Sequence, residues 1–184
     1  MYGLVNRAIE DLVTQAYGSD VWERIKHEAD VDIDVFVRME AYPDDISYRL
    51  VAAASKVLEQ SPDRILGDFG RFWPQYTGRE GYGEILDAAG SSLWEFLFNL
   101  DELHSRVGLI YPNLQPPSFS CTDVTEQSLE LHYYSERAGL APMVVGLLEG
   151  LSLMFDTPVS IERTQCKEEG ADHDAFRITK TIRD

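Results

Sequence analysis

One stretch near the middle of the chain carries polar side chains that could bind an anion. In an extended strand successive side chains point to opposite faces, so the alternation from position 129 onward would place Tyr133, Ser135 and Arg137 on one face, beside leucines. Arginine presents a planar fork of donors that suits a carboxylate or phosphate, and neighbouring hydroxyls can add charge-assisted hydrogen bonds. The pattern predicts a receptor for an anion attached to an apolar body. The alternative is a strand-to-helix corner in which Ser135 only caps the next helix, and the spacing alone leaves both open.

A histidine on an apolar helical face is the second candidate. Counting back from His104 by threes and fours reaches three leucines, at positions 100, 97 and 93, so its imidazole would project among apolar side chains. A histidine in such a place is often a structural core residue. Asp101, three residues earlier, could orient the ring, as metal-bound histidines usually require. Because no second ligand stands near it at the spacing of a metal cage, a lone imidazole fits iron that a porphyrin already holds.

The two candidates match opposite ends of one ligand. Heme is an apolar disc with two propionates, so its site needs an axial ligand, an apolar cleft and anchors for carboxylates. His104 would supply the first, and Tyr133, Ser135 and Arg137 would supply the last. Together these residues predict a site for heme b, iron protoporphyrin IX.

The same residues carry a resemblance to a known family. The sequence Leu-Asp-Glu-Leu-His that ends at His104, followed by Tyr-x-Ser-x-Arg from Tyr133 to Arg137, resembles the heme–nitric oxide/oxygen-binding (H-NOX) family, bacterial relatives of the heme domain of soluble guanylate cyclase. The connecting segment from Tyr111 to Phe119 is also similar, and the resemblance covers essentially the whole chain. It implies that His104 is the proximal iron ligand, that the Tyr-x-Ser-x-Arg residues hold the propionates, and that Pro117 presses on the porphyrin and distorts it.

The resemblance also implies a role and an architecture. The chain is too short to contain a cyclase domain, so we expect a stand-alone sensor rather than an enzyme, signalling to a separate histidine kinase or to a cyclic-nucleotide or dinucleotide signalling enzyme. The expected fold is α+β: a single domain, 1–184, with a helical N-terminal subdomain of about 1–65 packed over a subdomain of about 66–184. The second subdomain would contain an antiparallel sheet and one long helix, with heme between the two.

Gas preference depends on hydrogen-bond donors beside the iron. Oxygen-binding members of the family place a tyrosine on the helix after Tyr-x-Ser-x-Arg, and no tyrosine follows Arg137 here. The candidates for the gas-binding side are Trp73 and Met143, although a tryptophan or methionine at helical spacing is usually core. We therefore expect nitric oxide and carbon monoxide to bind without a stable oxy complex. The alternative is an oxygen-binding sensor, since the indole N–H of Trp73 could donate.

The elements that would position these residues follow from periodicity and from glycine and proline. Apolar residues at helical spacing predict helices over about 4–17, 21–29 and 45–58, and a fourth after Ser61 that Pro74 closes. Gly78, Gly81 and Gly83 predict a pliable connection before one long helix from about Glu84 to Val107. The remainder predicts strands over 118–124 and 129–135, a helix over about 137–155, and a hairpin of 159–166 with 175–182. Helices followed by strands indicate an α+β fold.

Composition narrows the possible partners. The 184 residues include 32 acidic and 16 basic side chains, giving a net charge of −16. Such a surface repels phosphate backbones, so we expect no nucleic acid partner, whereas a basic protein fits. The absence of a signal-like or membrane-spanning segment favours a cytoplasmic location and no membrane insertion.

Three other classes of function are alternatives to the predicted heme site. One is an enzyme that uses His104 and Asp101 as an acid–base pair, although no nucleophile motif accompanies them. A second is a non-heme domain that only binds partner proteins. A third is a thiol redox sensor at Cys121 or Cys166, which are too few for a disulfide framework.

The remaining histidines carry no signal for heme. His27 lies in an acid-rich segment, His132 on the polar face of its strand, and His173 in a turn between two aspartates. We expect all three to lie outside the heme site.

Overall fold

The computed structural model describes residues 1–111 and 113–181, with the backbone but not the side chain of Arg79. Pro112 of the connecting segment and the predicted strand end at Ile182 lie outside the described residues. The N-terminal part is helical: α1 (Gly3–Tyr17), α2 (Ser19–Glu28), α3 (Asp44–Leu58) and α4 (Pro62–Thr77). Ser61 caps α4 by accepting a hydrogen bond from the backbone N–H of Arg64, as its place before Pro62 predicts. The apolar faces of these helices meet in one hydrophobic cluster.

The prediction that Pro74 closes α4 is wrong. The helix continues to Thr77, whose hydroxyl donates to the carbonyl of Trp73 at 2.9 Å. Burial of Tyr76 and Thr77 in the core favours this extra turn over an early end. A kinked turn (Gly78–Tyr82) with non-helical backbone at Glu80 and Gly81 follows, and Gly81 has a φ of 95°, a conformation that glycine adopts without strain.

The long helix predicted over 84–107 is also wrong, because the chain forms three shorter helices there. These are α5 (Gly83–Asp87), α6 (Leu93–Phe98) and α7 (Leu100–Ile110). Gly90, at φ 156°, interrupts the run, and Ser92 then caps α6 by accepting from the backbone N–H of Glu95. Asn99 separates α6 from α7, and its amide donates to the carbonyl of Ala89 at 2.8 Å.

The C-terminal part is an antiparallel sheet covered by a helix. Strands β1 (Ser118–Thr122), β2 (Ser128–Tyr134), β3 (Val159–Gln165) and β4 (Asp174–Lys180) form it in the order β1-β2-β4-β3, and the predicted β3–β4 hairpin is present. Helix α8 (Ala141–Met154) packs on the inner face, in a second hydrophobic cluster with leucines of β2. It begins at Ala141 rather than at Arg137, with Leu140 as N-cap and Pro142 in its first turn, so Ser135 does not cap it.

The two layers meet where α4 crosses α8. A side chain at Gly70 or Gly146 would overlap backbone of the other helix, and one at Gly150 would lie 2.6 Å from the carbonyl oxygen of Arg71. Arg71 and Glu149 form an ion pair beside the crossing. Because glycine has no side chain, the backbones of the two helices are in direct contact at the crossing, closer than a larger residue at these positions would permit.

The observed α+β architecture confirms the predicted fold class. The subdomain boundary near residue 65 stays a prediction. Among the helices that the structure describes, none is both long enough and apolar enough to cross a membrane.

Candidate functional site

A cavity of about 290 Å³ lies between the helical layer and the sheet. Its walls are largely apolar side chains of α1, α4, α7 and α8, among them Leu4, Val5, Phe69, Leu103, Val107 and Val144. Every side chain that the sequence predicts for the site lines this one cavity: Trp73, His104, Pro117, Tyr133, Ser135, Arg137 and Met143. The fold therefore brings together residues that stand up to 70 positions apart in the chain.

His104 enters the cavity from α7 as a neutral imidazole. Its Nδ1 lies 2.8 Å from the carbonyl oxygen of Leu100, and because a carbonyl only accepts, Nδ1 carries the hydrogen. Nε2 then holds a lone pair suited to a metal ion. The ring stacks on Phe119 with centroids 5.4 Å apart. Burial lowers the pKa of His104, against the opposing effects of the Leu100 carbonyl and Asp101, and this favours the neutral form that binds metals.

The prediction that Asp101 orients His104 is wrong. The Asp101 carboxylate accepts hydrogen bonds from the Ser118 hydroxyl and the Phe119 backbone N–H, both at 3.0 Å. Asp101 lies in the first turn of α7, and its hydrogen bonds tie this end of the helix to β1. The backbone carbonyl of Leu100 takes the orienting role instead.

Tyr133, Ser135 and Arg137 line the same cavity. The backbone N–H of Arg137 donates to Ser135 Oγ at 3.1 Å. The serine hydroxyl therefore stabilises a tight turn and does not cap a helix. The guanidinium donates from Nη1 to the carbonyl of Gln115 at 2.7 Å. Tyr133 is buried, and burial raises its pKa while a hydrogen bond with Ser135 opposes the rise, so its hydroxyl stays protonated at neutral pH.

Asp44 joins this end of the site from α3. Its Oδ2 accepts from Nε of Arg137 at 2.7 Å, and its Oδ1 receives the N-terminal ammonium of Met1. Burial by itself would raise the pKa of Asp44, but these hydrogen bonds outweigh it and lower the pKa. The sequence contains no periodic or motif signal for a pair 93 positions apart, so the arginine partner of Asp44 could not be predicted.

Trp73 and Met143 line the cavity from the two crossing helices. The indole of Trp73 packs between Phe69, at 5.6 Å between centroids, and Tyr76, at 6.2 Å. None of the hydrogen bonds among the described residues uses the indole N–H of Trp73. Tyr76 is buried behind the tryptophan and does not line the cavity.

Four tyrosines in the cavity wall were missed, namely Tyr2, Tyr48, Tyr82 and Tyr111. The hydroxyls of Tyr82 and Tyr111 are hydrogen-bonded to each other, and Tyr2 packs edge-on against Tyr111 with centroids 4.6 Å apart. Burial, helped by the bond with Tyr82, raises the pKa of Tyr111. Tyr82 stands among glycines in a segment interpreted as a linker, and Tyr111 in a connecting loop, so neither had an apolar pattern to reveal it.

Comparison with known proteins decides the family. The family model described as Haem-NO-binding matches residues 2–163 of the chain. The chain belongs to the Haem-NO-binding family. This confirms the resemblance stated from His104 and the Tyr-x-Ser-x-Arg residues.

Curated relatives of this Haem-NO-binding chain include long animal proteins. Soluble guanylate cyclase gcy-35 of Caenorhabditis elegans is 33% identical over 189 residues, which cover 98% of this chain and 28% of that protein. Soluble guanylate cyclase 89Da of Drosophila melanogaster is 25% identical over 155 residues, covering 84% of this chain and 23% of that protein. The chain thus spans about a quarter of the length of these relatives.

Solved structures of the family share its fold. The H-NOX protein of S. oneidensis in the Fe(II)NO ligation state superposes with a TM-score of 0.90 at 21% identity, over 99% of this chain and 100% of that one. An oxygen-binding H-NOX domain related to soluble guanylate cyclases, as its oxygen complex, gives 0.81 at 24% identity, over 99% and 96%. At these identities the likeness establishes the architecture.

Proposed function

We propose that the chain is a heme-based gas sensor that binds heme b in the cavity. His104 would be the axial ligand, Tyr133, Ser135 and Arg137 would hold the propionates, and Pro117 would press on the porphyrin. The observation that carries the proposal is that one apolar cavity is lined both by a neutral imidazole whose Nε2 carries no hydrogen and by a guanidinium with two hydroxyls. The residues present fit the group, since an apolar disc with two carboxylates needs these three features. When bound, heme supplies the iron to which a diatomic gas coordinates.

Two competing readings lose support from the geometry. An acid–base pair of His104 and Asp101 would need the carboxylate on the imidazole, but Asp101 is bonded to Ser118 and to the backbone of Phe119. A thiol sensor would need a reactive thiolate, yet burial raises the pKa of Cys121 to about 11, so the thiol is protonated at neutral pH. We therefore propose a sensor and not an enzyme.

For the gas, we propose nitric oxide and carbon monoxide, with discrimination against oxygen. Bound oxygen carries negative charge on its outer atom and gains from a buried donor. Helix α8 contains no tyrosine, and its cavity-lining Met143 has no hydrogen to donate. A second candidate is an oxygen-binding sensor, favoured by one observation, an indole N–H of Trp73 in the cavity wall that makes no hydrogen bond to any residue the structure describes.

For the output, we propose that α7 passes the state of His104 to the sheet. Asp101 links this helix to β1 through Ser118 and Phe119, so a shift of His104 would move β1. The kinked turn at Gly81 is a proposed hinge on the helical side. The partner would be a separate cytoplasmic histidine kinase or a cyclic-nucleotide or dinucleotide signalling enzyme that presents a basic surface to the net charge of −16. We propose no nucleic acid partner and no membrane insertion.

The deciding experiment is the visible spectrum of the purified chain after reconstitution with heme. We expect an intense Soret band that moves when the reduced protein receives carbon monoxide or nitric oxide. A chain that folds, as judged by circular dichroism, but never acquires a Soret band at stoichiometric heme would overturn the proposal.

A further inference from the structure

Two histidines on the outer face of the sheet are hydrogen-bonded to each other, on the side away from the cavity. His132 lies on β2 next to the inward-facing Tyr133 and therefore points outward. His173 lies immediately before β4. Nδ1 of His132 and Nε2 of His173 are 2.7 Å apart. His173 is only 7% exposed, so this turn residue is held in place rather than solvated.

The partners at the far side of each ring determine which nitrogens carry hydrogen. Nδ1 of His173 lies 2.5 Å from Oδ1 of Asp172, and because an ionised carboxylate only accepts, this nitrogen carries the hydrogen. Nε2 of His173 is then a bare acceptor, and Nδ1 of His132 donates to it. That leaves Nε2 of His132 to accept from the hydroxyl of Thr122 at 2.8 Å. The four groups form one chain of hydrogen bonds that runs in a single direction.

We propose that this histidine pair is a binding site for a divalent transition metal ion such as Zn²⁺ or Ni²⁺, which neutral imidazole suits. Zn–N bonds of about 2.0–2.1 Å would require the two facing nitrogens to move apart by only about 0.6 Å. Both histidines bind as neutral rings, so no proton is lost. The hydrogen on Nδ1 of His132 moves to its Nε2, and the Thr122 hydroxyl, which can donate or accept, turns to accept it.

The far-side partners are the kind that metal-bound histidines need. A carboxylate or hydroxyl on the other ring nitrogen sets the tautomer and the ring orientation, and Asp172 and Thr122 already do so here. Tyr134 stacks on His173 with centroids 4.2 Å apart and holds the second ring.

The nearby carboxylates are engaged elsewhere, which limits the site to two protein ligands. Glu130 is bonded to Arg177 and Thr164, and Asp174 to Arg163. No group of three or more potential ligands is arranged around a metal position in the part of the chain that the structure describes. Water would therefore complete the coordination, and the net charge of −16 would attract the cation.

The test titrates ZnCl₂ or NiCl₂ into the full chain, prepared without a polyhistidine tag. Calorimetry gives the stoichiometry and affinity, and NMR of the histidine ring signals shows which rings respond. We expect one ion per chain, with changes at His132 and His173. Saturable binding should disappear in His132→Gln, while His27→Gln, which changes an exposed histidine on α2, should bind like the parent chain.

Thr122→Val is the second variant, because it keeps the branched shape on an exposed strand position and should fold normally. It leaves the relocated hydrogen of His132 without an acceptor, so we expect binding about tenfold weaker, the lower end of the effect of such partners. The proposal is overturned by parent-like affinity in His132→Gln, by a response at His27 or His104 alone, or by the absence of saturable binding. The outcome is independent of the heme proposal, since the pair lies outside the cavity.

Discussion

Nε of Arg137 donates to Oδ2 of Asp44 across 2.7 Å and connects the segment after β2 to the first turn of α3. The N-terminal ammonium of Met1 meets the same carboxylate, so three distant parts of the chain converge on one acidic group. The arginine proposed to hold the propionates thus already has an anionic partner. It follows that Arg137 would be shared between the ligand and α3, and that filling the cavity would change the contact that anchors this helix.

Asp44→Asn should make the protein less stable at neutral pH. The pKa of Asp44 is lowered in the folded state, so the carboxylate stabilises the fold above its ordinary pKa of 3.8, and this contribution is lost as pH falls through the folded-state value. For a partly exposed pair we expect about 0.5–1 kcal/mol at pH 7. Urea unfolding at pH 7 and near pH 3 measures the difference, which should be smaller at the lower pH.

Asp45→Asn is the matched control, because Asp45 is more exposed and meets Arg49 only at 3.4 Å. It should change the free energy of unfolding little. Equal losses in the two variants, or a loss in Asp44→Asn that is as large near pH 3 as at pH 7, would contradict the assignment.

His104→Gly should separate the axial ligand from the rest of the site. The cavity and the Arg137 end remain, so we expect the variant to take up heme in the presence of added imidazole and to show the parent's ferrous spectrum. Without imidazole the spectrum should differ from that of the parent chain. A parent-like ferrous spectrum in the absence of imidazole would show that another residue binds the iron.

Two glycine-to-alanine changes should have opposite effects on stability, because Gly146 lies at the helix crossing and Gly108 does not. At Gly146 a new Cβ would overlap the backbone of Gly67, and overpacking of this kind typically costs about 1–3 kcal/mol. At Gly108, on α7, a Cβ meets nothing within 4 Å, so Gly108→Ala should stabilise by up to about 1 kcal/mol through helix propensity. Thermal or urea unfolding of both variants measures this, and a Gly146→Ala protein as stable as the parent would mean that the helices can separate.

Trp73→Phe addresses the gas preference. If the chain discriminates against oxygen as proposed, reduced parent protein exposed to air should show no persistent oxy spectrum, and the variant should behave alike. The phenylalanine keeps the packing against Phe69 and Tyr76 but removes the only ring N–H at that position. A persistent oxy spectrum in the parent that Trp73→Phe loses would favour the oxygen-binding candidate instead.

The candidate site residues could be predicted from the sequence because the type and local spacing of each residue indicate its chemistry. His104 stands on a leucine face, and Tyr133, Ser135 and Arg137 have the spacing of one strand face, so both groups were visible before the fold was known. The strand itself ends at Tyr134, and Ser135 and Arg137 lie in the turn that follows. Their meeting in one cavity follows the predicted α+β arrangement. Their roles toward heme stay a prediction that the experiments above test.

The predictions that were wrong depended on tertiary contacts, which the local sequence pattern does not encode. Pro74 was expected to end α4, but burial of the following turn outweighs the proline. Asp101 lies one turn from His104 on the same helix, yet the nearby donors of β1 take its carboxylate. The predicted long helix is divided at Gly90, which has a positive φ, and at Asn99, whose amide donates to the distant carbonyl of Ala89.

The close contact of α4 with α8 also restricts how the cavity can be tuned. Neither helix can roll about its axis or slide by one residue without driving backbone into backbone at Gly70 and Gly146. Trp73 and Met143, one on each helix, therefore keep their separation whatever moves on the His104 side. If these two side chains set the gas preference, as proposed, that preference would be changed by mutation at the two positions and not by signalling.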